Sequence, residues 1–235
     1  MKLLFDLDGT LIDSNHIWQD IDRSFLEKRG FELTDAYNAG VIYATFPLAA
    51  KFTKEYCGLT ESEEDIMAEW MEAAEHAYGN TIPLKPGVRE FLSRCAGAGY
   101  EMYIYTSCEE PLCLAALAHH HLLPYFRDIF FVRKLNIEKS KPEGFLWVAE
   151  QMNTVPADVL FFDDSPVACQ GACTAGMQVV ACYDALFAQY RGELERSCNA
   201  YLTSFEDALA EPDFVGELVK AIEKSNRIFS VSPKM

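Results

Sequence analysis

Residues 2–14 read KLLFDLDGTLIDS. Residues 2–6 are a short apolar run closed by a carboxylate, the signature of a buried strand. Asp8, Gly9 and Thr10 follow at once, so the strand delivers two acids to its carboxyl end. In sheets of parallel strands, ligands sit beyond that end.

Outward from this stretch the pattern changes twice. Over residues 15–80 the apolar positions recur at helical spacing: Ile17, Ile21, Phe25 and Leu26 first, then Ile66, Trp70, Ala73, Ala74 and Ala77. Thr60-x-x-Glu63 reads as a capping box that opens the last of these helices. No period-2 run interrupts the segment. Beyond Pro83, helices predicted over 87–98, 111–121, 142–152 and 166–175 alternate with strands over 101–105, 129–132, 159–162 and 178–181. Strands separated by helices of this length imply β-α-β units and a parallel sheet. Residues 205–228 read as one or two surface helices. The expected fold class is therefore α/β, a Rossmann-like doubly wound parallel sheet formed by residues 1–14 and 81–235. An all-helical domain of residues 15–80 is inserted after its first strand.

Composition bounds the partners. The chain has 235 residues, of which 50% are hydrophobic, and 36 acids against 20 lysines and arginines give a net charge of −16. Such a surface repels nucleic acid and anionic lipid, so neither is an expected partner. No apolar run reaches the length of a membrane span. Asp6 falls where a signal peptide would need its apolar stretch, which points to a cytoplasmic protein. The eight cysteines lack a C-x-x-C pair and read as reduced, mostly buried thiols. A monomer or weak dimer is expected.

Several strand ends carry polar groups. The first ends in Asp6 and Asp8, the second in Thr106 and Ser107, and the fourth in Asp163 and Asp164, with Lys139 and Lys141 just before a helix on the same side. Four convergent carboxylates would repel one another strongly unless a hard cation joined them. Mg²⁺, which prefers oxygen ligands and keeps waters for a phosphate, suits such a set. Consecutive His119, His120 and His121 point in different directions on a helix and cannot ligate one ion together.

FDLDGTLIDS (5–14), Thr106 after an apolar strand, and FFDDSPVACQGACTAGMQVV (161–180) together resemble the haloacid dehalogenase superfamily of hydrolases, over residues 1 to about 182. The third motif reads KSKPEGF at 139–145. Lys139 has the family's spacing to Phe145, Ser140 replaces a common proline, and Lys141 is the alternative lysine. The resemblance implies a Mg²⁺-dependent phosphatase that hydrolyses a small phosphomonoester metabolite through an aspartyl-phosphate, with residues 15–80 as a helical cap. It implies Asp6 as nucleophile and Asp8 as general acid and base. Thr106, Ser107 and the lysine would bind phosphate. The Asp6 carboxylate, the Asp8 backbone carbonyl, Asp164 and Asp163 would hold the metal. Thr45, Phe46 and Lys51 in the cap would contact substrate.

Two alternatives stay open. A sugar phosphomutase of the β-phosphoglucomutase type is similar, but its cap histidine falls at Trp18 here, with His16 two residues early. A non-catalytic phospho-aspartate regulator or binding protein also combines acids, a hydroxyl and a lysine on an α/β sheet. The order Asp6-x-Asp8-Gly9-Thr10 and the insertion favour the hydrolase over it.

Overall fold

The computed structural model describes residues 1–41, 44, 46–135, 137–211 and 213–230. Among them the chain forms two compact units, Met1–Ser14 with Pro83–Met235, and Asn15–Ile82.

The first unit is built on six strands: β1 (Lys2–Phe5), β2 (Met102–Thr106), β3 (Phe126–Phe131), β4 (Val159–Asp163), β5 (Gln178–Cys182) and β6 (Ala200–Leu202). Their order is β3-β2-β1-β4-β5-β6, and every neighbouring pair is parallel. This is a doubly wound sheet whose strand order reverses between β1 and β4, where ligands of such sheets bind. The inner strands β1, β2, β4 and β5 read as near-continuous apolar runs because both their faces are buried. Leu3, Leu4, Phe5, Phe161 and Phe162 are fully buried, and the Phe5 and Phe162 rings stack at 4.6 Å.

Register places the acids. Phe5 pairs with Phe162, and the Asp6 amide donates to the Phe162 carbonyl at 2.9 Å. One residue further, Asp6 therefore stands level with Asp163. Level residues on parallel neighbours project to the same face, so the two carboxylates must meet.

Three details depart from the sequence reading. β3 begins at Phe126 and ends at Phe131, where 129–132 was expected, and Val132 starts a short helix. β6 is an additional strand, too short to show a period, paired to β5 through Val180–Ala200. The tail helices Phe205–Ala210 and Phe214–Ser230 are not purely superficial. Phe205 is buried, with its ring 5.1 Å from that of Phe91 and 6.2 Å from that of Phe162.

The two strands of chain that bound the helical unit are fastened to each other within the sheet unit. The Asp13 amide donates to the Pro83 carbonyl and the Lys85 amide to the Leu11 carbonyl, each at 3.0 Å, and Ile12 bridges Leu84 in antiparallel fashion.

The second unit contains the helices Ile17–Glu27, Asp35–Val41, Phe46–Cys57 and Glu63–Asn80. Ile17, Ile21, Phe25 and Leu26 face its interior, as do Ile66, Trp70, Ala74 and Ala77. The capping box lies two residues beyond the expected one. Ser62 caps the helix and Asp65 reciprocates, while Glu61, not Glu63, accepts from the Thr60 amide. Serine and aspartate three apart satisfy the same two orphan amides, and Thr60 is two residues too early to reach them.

A polar thread crosses this helical core. The Tyr37 hydroxyl donates to Asp22 Oδ1 at 3.2 Å and shares a 2.8 Å hydrogen bond with Thr53. Burial pushes Asp22 from its ordinary 3.8 up to about 6, with the Tyr37 hydrogen bond pulling the other way. The folded unit therefore prefers the neutral acid. Its stability should fall as pH rises from about 4 to about 6 and stay lowered above that. Asp22→Asn should stabilise the protein at pH 7.5 by on the order of 1–2 kcal/mol and lose that advantage below about pH 4. Thermal melts of both proteins across this range measure the difference.

Candidate active site

Strand ends and one loop bring the polar residues together. Asp6 follows β1, Asp163 closes β4, and Asp164 comes next before the helix Pro166–Thr174. All three are buried. Lys139 lies between the first two: its ammonium donates to Asp6 Oδ1 and stands 2.8 Å from Asp163 Oδ2. It also lies over the rings of Tyr105 and Phe161, 5.6 and 5.4 Å from their centroids. One cation is thus held by two carboxylates and two aromatic faces, all of which favour its charge.

The loop that carries Lys139 reaches this position because the helix Pro166–Thr174 presents no side chain at Gly171. A Cβ there would stand 2.9 Å from the Lys139 carbonyl and from the Phe145 ring. Lys141, by contrast, is exposed and occupies the N-cap of the helix Pro142–Gln151. Of the two lysines, Lys139 is the one brought to the carboxylates.

The remaining acids are oriented by hydroxyls. Gly9 turns the chain at φ +74°, a conformation that costs glycine nothing. Asp8, half-buried before that turn, accepts from Ser14 Oγ at 2.7 Å. Thr10 Oγ1 donates to Asp164 Oδ1 at 3.2 Å. Asp163 Oδ1 accepts from the Ser165 amide at 2.7 Å, which fixes the turn into the helix. Thr106 is fully buried at the end of β2, and its Oγ1 accepts from the Cys108 amide at 3.0 Å. Ser107 is exposed one residue on. No role is assigned to Thr10 or Ser14 in the sequence analysis. Their signal was the hydroxyl two residues after Asp8 and six residues after it, inside the most informative stretch of the chain.

Electrostatics at the site are dominated by burial. Burial pushes Asp6 well above the usual carboxylate range, Lys139 pulls it down, and Asp163, Asp164 and Asp8 push it up again. Burial works against the charge of Lys139, yet Asp163 and Asp6 together hold its pKa above the ordinary value. Cys108 is pushed up by burial first and then by Asp8, so its thiol stays protonated and offers no nucleophile.

The donor set accommodates a hard cation. Among the described residues no three His, Cys, Asp or Glu side chains form a ready metal cluster, because Lys139 stands where Asp6 and Asp163 would converge. A Mg²⁺ set of two carboxylates, one backbone carbonyl and waters does not need three such side chains. Asp6, Asp164 and the Asp8 carbonyl are all oxygen donors, and the site carries more buried negative charge than one lysine neutralises. The residues present fit the ion.

The other sequence candidates fall elsewhere. Thr45 lies outside the described residues. Phe46 packs within the helical unit, its ring 5.7 Å from that of Trp18 and 5.5 Å from that of Trp70. Lys51 is exposed. His119 and His121 are exposed at a helix end, where the chain turns with His121 at φ +54°.

Comparison with known proteins agrees with this geometry. The family model of haloacid dehalogenase-like hydrolases matches residues 3–182. A phosphorylated carbohydrates phosphatase of Thermotoga maritima is 25% identical over 176 residues, 75% of this chain and 82% of its own length. Phosphoglycolate phosphatase 1 of Pseudomonas aeruginosa is 30% identical over 187 residues, 76% of this chain and 68% of its own. Among solved structures, a putative β-phosphoglucomutase from Thermotoga maritima shares the fold with a TM-score of 0.76 at 22% identity, covering 95% of this chain and 99% of that one. The strand order, the acids at the ends of β1 and β4 and the family match over three quarters of the chain lead to one conclusion: this protein belongs to the haloacid dehalogenase-like hydrolases.

Proposed function

We propose that the protein is a Mg²⁺-dependent phosphatase that hydrolyses small phosphomonoesters through an aspartyl-phosphate on Asp6. The observation that carries this reading is the buried Asp6–Lys139–Asp163 ion cluster at the switch point of the sheet, with Asp8 held by Ser14 beside it. The names of the relatives, a phosphatase of phosphorylated carbohydrates and one of phosphoglycolate, support a small phosphorylated metabolite as substrate.

In this mechanism an Asp6 carboxylate oxygen attacks phosphorus, and the bond to the leaving oxygen breaks as the new one forms. Asp8 gives its proton to the departing alkoxide, so the alcohol leaves neutral. Asp8 then takes a proton from the water that attacks the aspartyl-phosphate, which releases inorganic phosphate and restores Asp6. Ser14 fixes one oxygen of Asp8 and so its direction. Lys139, Thr106 and the amide of Ser107 bind phosphoryl oxygens and offset the charge that develops on them. Asp6, Asp164 and the Asp8 carbonyl would hold Mg²⁺, which would supply charge neutralisation between the nucleophile and the phosphate. Within the helical unit, His16 pairs with Asp20 at 3.6 Å and Trp18 packs on Phe46, which favours the phosphatase over the phosphomutase.

The decisive assay measures release of phosphate from p-nitrophenyl phosphate and a panel of sugar phosphates and phosphoglycolate, with Mg²⁺ and with EDTA. Turnover should vanish in EDTA and return with added Mg²⁺. Asp6→Asn should lower kcat by at least ~10³-fold with the fold intact. Near-full activity in that variant would remove the nucleophile from the scheme.

The two lysines give a second expectation. Lys139→Met leaves Asp6 and Asp163 without their cation and should cost about 3–5 kcal/mol of stability, together with most of the turnover. Lys141→Met touches no buried charge and should change stability by less than ~0.5 kcal/mol. Urea unfolding of both variants, without added metal, measures the contrast.

A further inference from the structure

Lys85 is a half-buried cation of the sheet unit that the proposed chemistry leaves unused. Its ammonium donates to Asp184 Oδ2 at 2.5 Å and stands 3.3 Å from Asp13 Oδ1. Asp184 is buried just beyond β5, and its Oδ1 accepts from the Leu186 amide at 2.9 Å. Beside it, the Tyr183 amide donates to the Leu202 carbonyl of β6 at 2.9 Å. One acceptor is thus fixed to the sheet, and the other, Asp13, lies in the segment that follows β1. Burial works against the charge of Lys85, yet Asp184 and then Asp13 hold its pKa above the ordinary value. The ammonium stays charged, and the three groups act as one electrostatic clamp.

The clamp closes on the backbone that orients Asp8. The Leu11 and Ile12 amides both return to the Leu7 carbonyl, at 2.9 and 3.1 Å, and the Gly9 amide donates to the Ile12 carbonyl at 2.9 Å. Residues 7–12 therefore form a small closed turn. Asp13 and Ser14 leave it, and Ser14 Oγ reaches back to Asp8 Oδ1 at 2.7 Å. The Lys85 amide donates to the Leu11 carbonyl while its side chain takes Asp13, so one residue grips the segment on both sides of Ile12. Moving Ser14 by about 1 Å would take its hydroxyl out of hydrogen-bonding range of Asp8. Misplacement on that scale can cost ~10²-fold in rate.

We propose that Lys85 is a positioning residue for general acid catalysis, on the reading in which Asp8 is the acid of a phosphatase. With Asp13 and Asp184 it holds the Ser14 hydroxyl where it directs the Asp8 carboxyl at the leaving oxygen. An alkyl phosphate releases a strongly basic alkoxide and needs the proton of Asp8. p-Nitrophenyl phosphate releases a weakly basic phenolate and does not. Loss of positioning should therefore show in the leaving group.

The probes are p-nitrophenyl phosphate and whichever sugar phosphate or phosphoglycolate the wild type turns over best, with Mg²⁺ present. Lys85→Met should lose at least ~10-fold in kcat/KM on the alkyl phosphate and less than ~3-fold on p-nitrophenyl phosphate. Lys85→Arg keeps the charge, has room beside a cavity of about 280 Å³ that Lys85 lines, and should restore most of the difference. Ser14→Ala should show the same selective loss. The double variant should be no worse than Ser14→Ala alone, because both changes act through one hydrogen bond. Asp13→Asn leaves the Lys85–Asp184 pair in place and should show the selective loss even if Lys85→Met fails to fold. Equal losses on the two substrates, no recovery in Lys85→Arg, or losses that multiply in the double variant would overturn the positioning role. A wild type that turns over neither ester would instead remove the phosphatase reading, and the positioning role with it.

Discussion

The ammonium of Lys139, buried between Asp6 and Asp163, is the contact on which the rest of the sheet unit depends. Parallel pairing of β1 with β4 sets the two acids level, and no local adjustment of either strand could part them without undoing the register. Each buried charge costs several kcal/mol in lost hydration, and only a close counter-charge with good geometry offsets that cost. The loop before the helix Pro142–Gln151 must therefore dock against the strand ends. Gly171 grants it the room, and the faces of Tyr105 and Phe161 give the cation a further favourable surface. Strand register, loop path and the choice of one small residue all answer the same electrostatic demand.

This local settlement explains how an acidic protein can face an anionic ligand. The net charge of −16 belongs mostly to solvated side chains, where water and salt screen it within about 10 Å. At the strand ends the relevant charges are few, close and shielded from solvent, so their balance is decided by the groups in contact. Composition thus informs about which large partners are repelled, and little about the potential inside the site.

Much of this was legible in residue order. The apolar run ending at Asp6, the helical spacing from Ile17 to Ala77 and the alternation after Pro83 led directly to a parallel sheet with a helical insertion. The acids were legible because they cluster at strand ends: Asp6 directly follows β1 with Asp8 two residues on, and Asp163 closes β4 with Asp164 next. β6 was not, because three residues show no period and its place is set by pairing with β5. The box at Ser62 and Asp65 was misplaced because Thr60 and Glu63 carry the same spacing, and only the first turn of the helix distinguishes them. Thr10 escaped because its partner Asp164 lies 154 residues away, and Ser14 because the irregular turn that returns it to Asp8, six residues back, has no period to read. Phe205 read as superficial since its partners, Phe91 and Phe162, lie far away in sequence.

The paired chain segments that bound the helical unit have one further meaning. With Asp13 tied to Pro83 and Ile12 to Leu84, the sheet unit presents two adjacent ends, as a strand pair presents the ends of its turn. To the sheet unit, everything from Asn15 to Ile82 is then a single closed loop. The entropy of closing a loop grows only with the logarithm of its length, about 0.6 kcal/mol for each doubling. Mutation can lengthen, shorten or rewrite that segment at almost no cost to the stability of the strands. The helical segment can therefore drift quickly across evolution while the strand ends stay fixed.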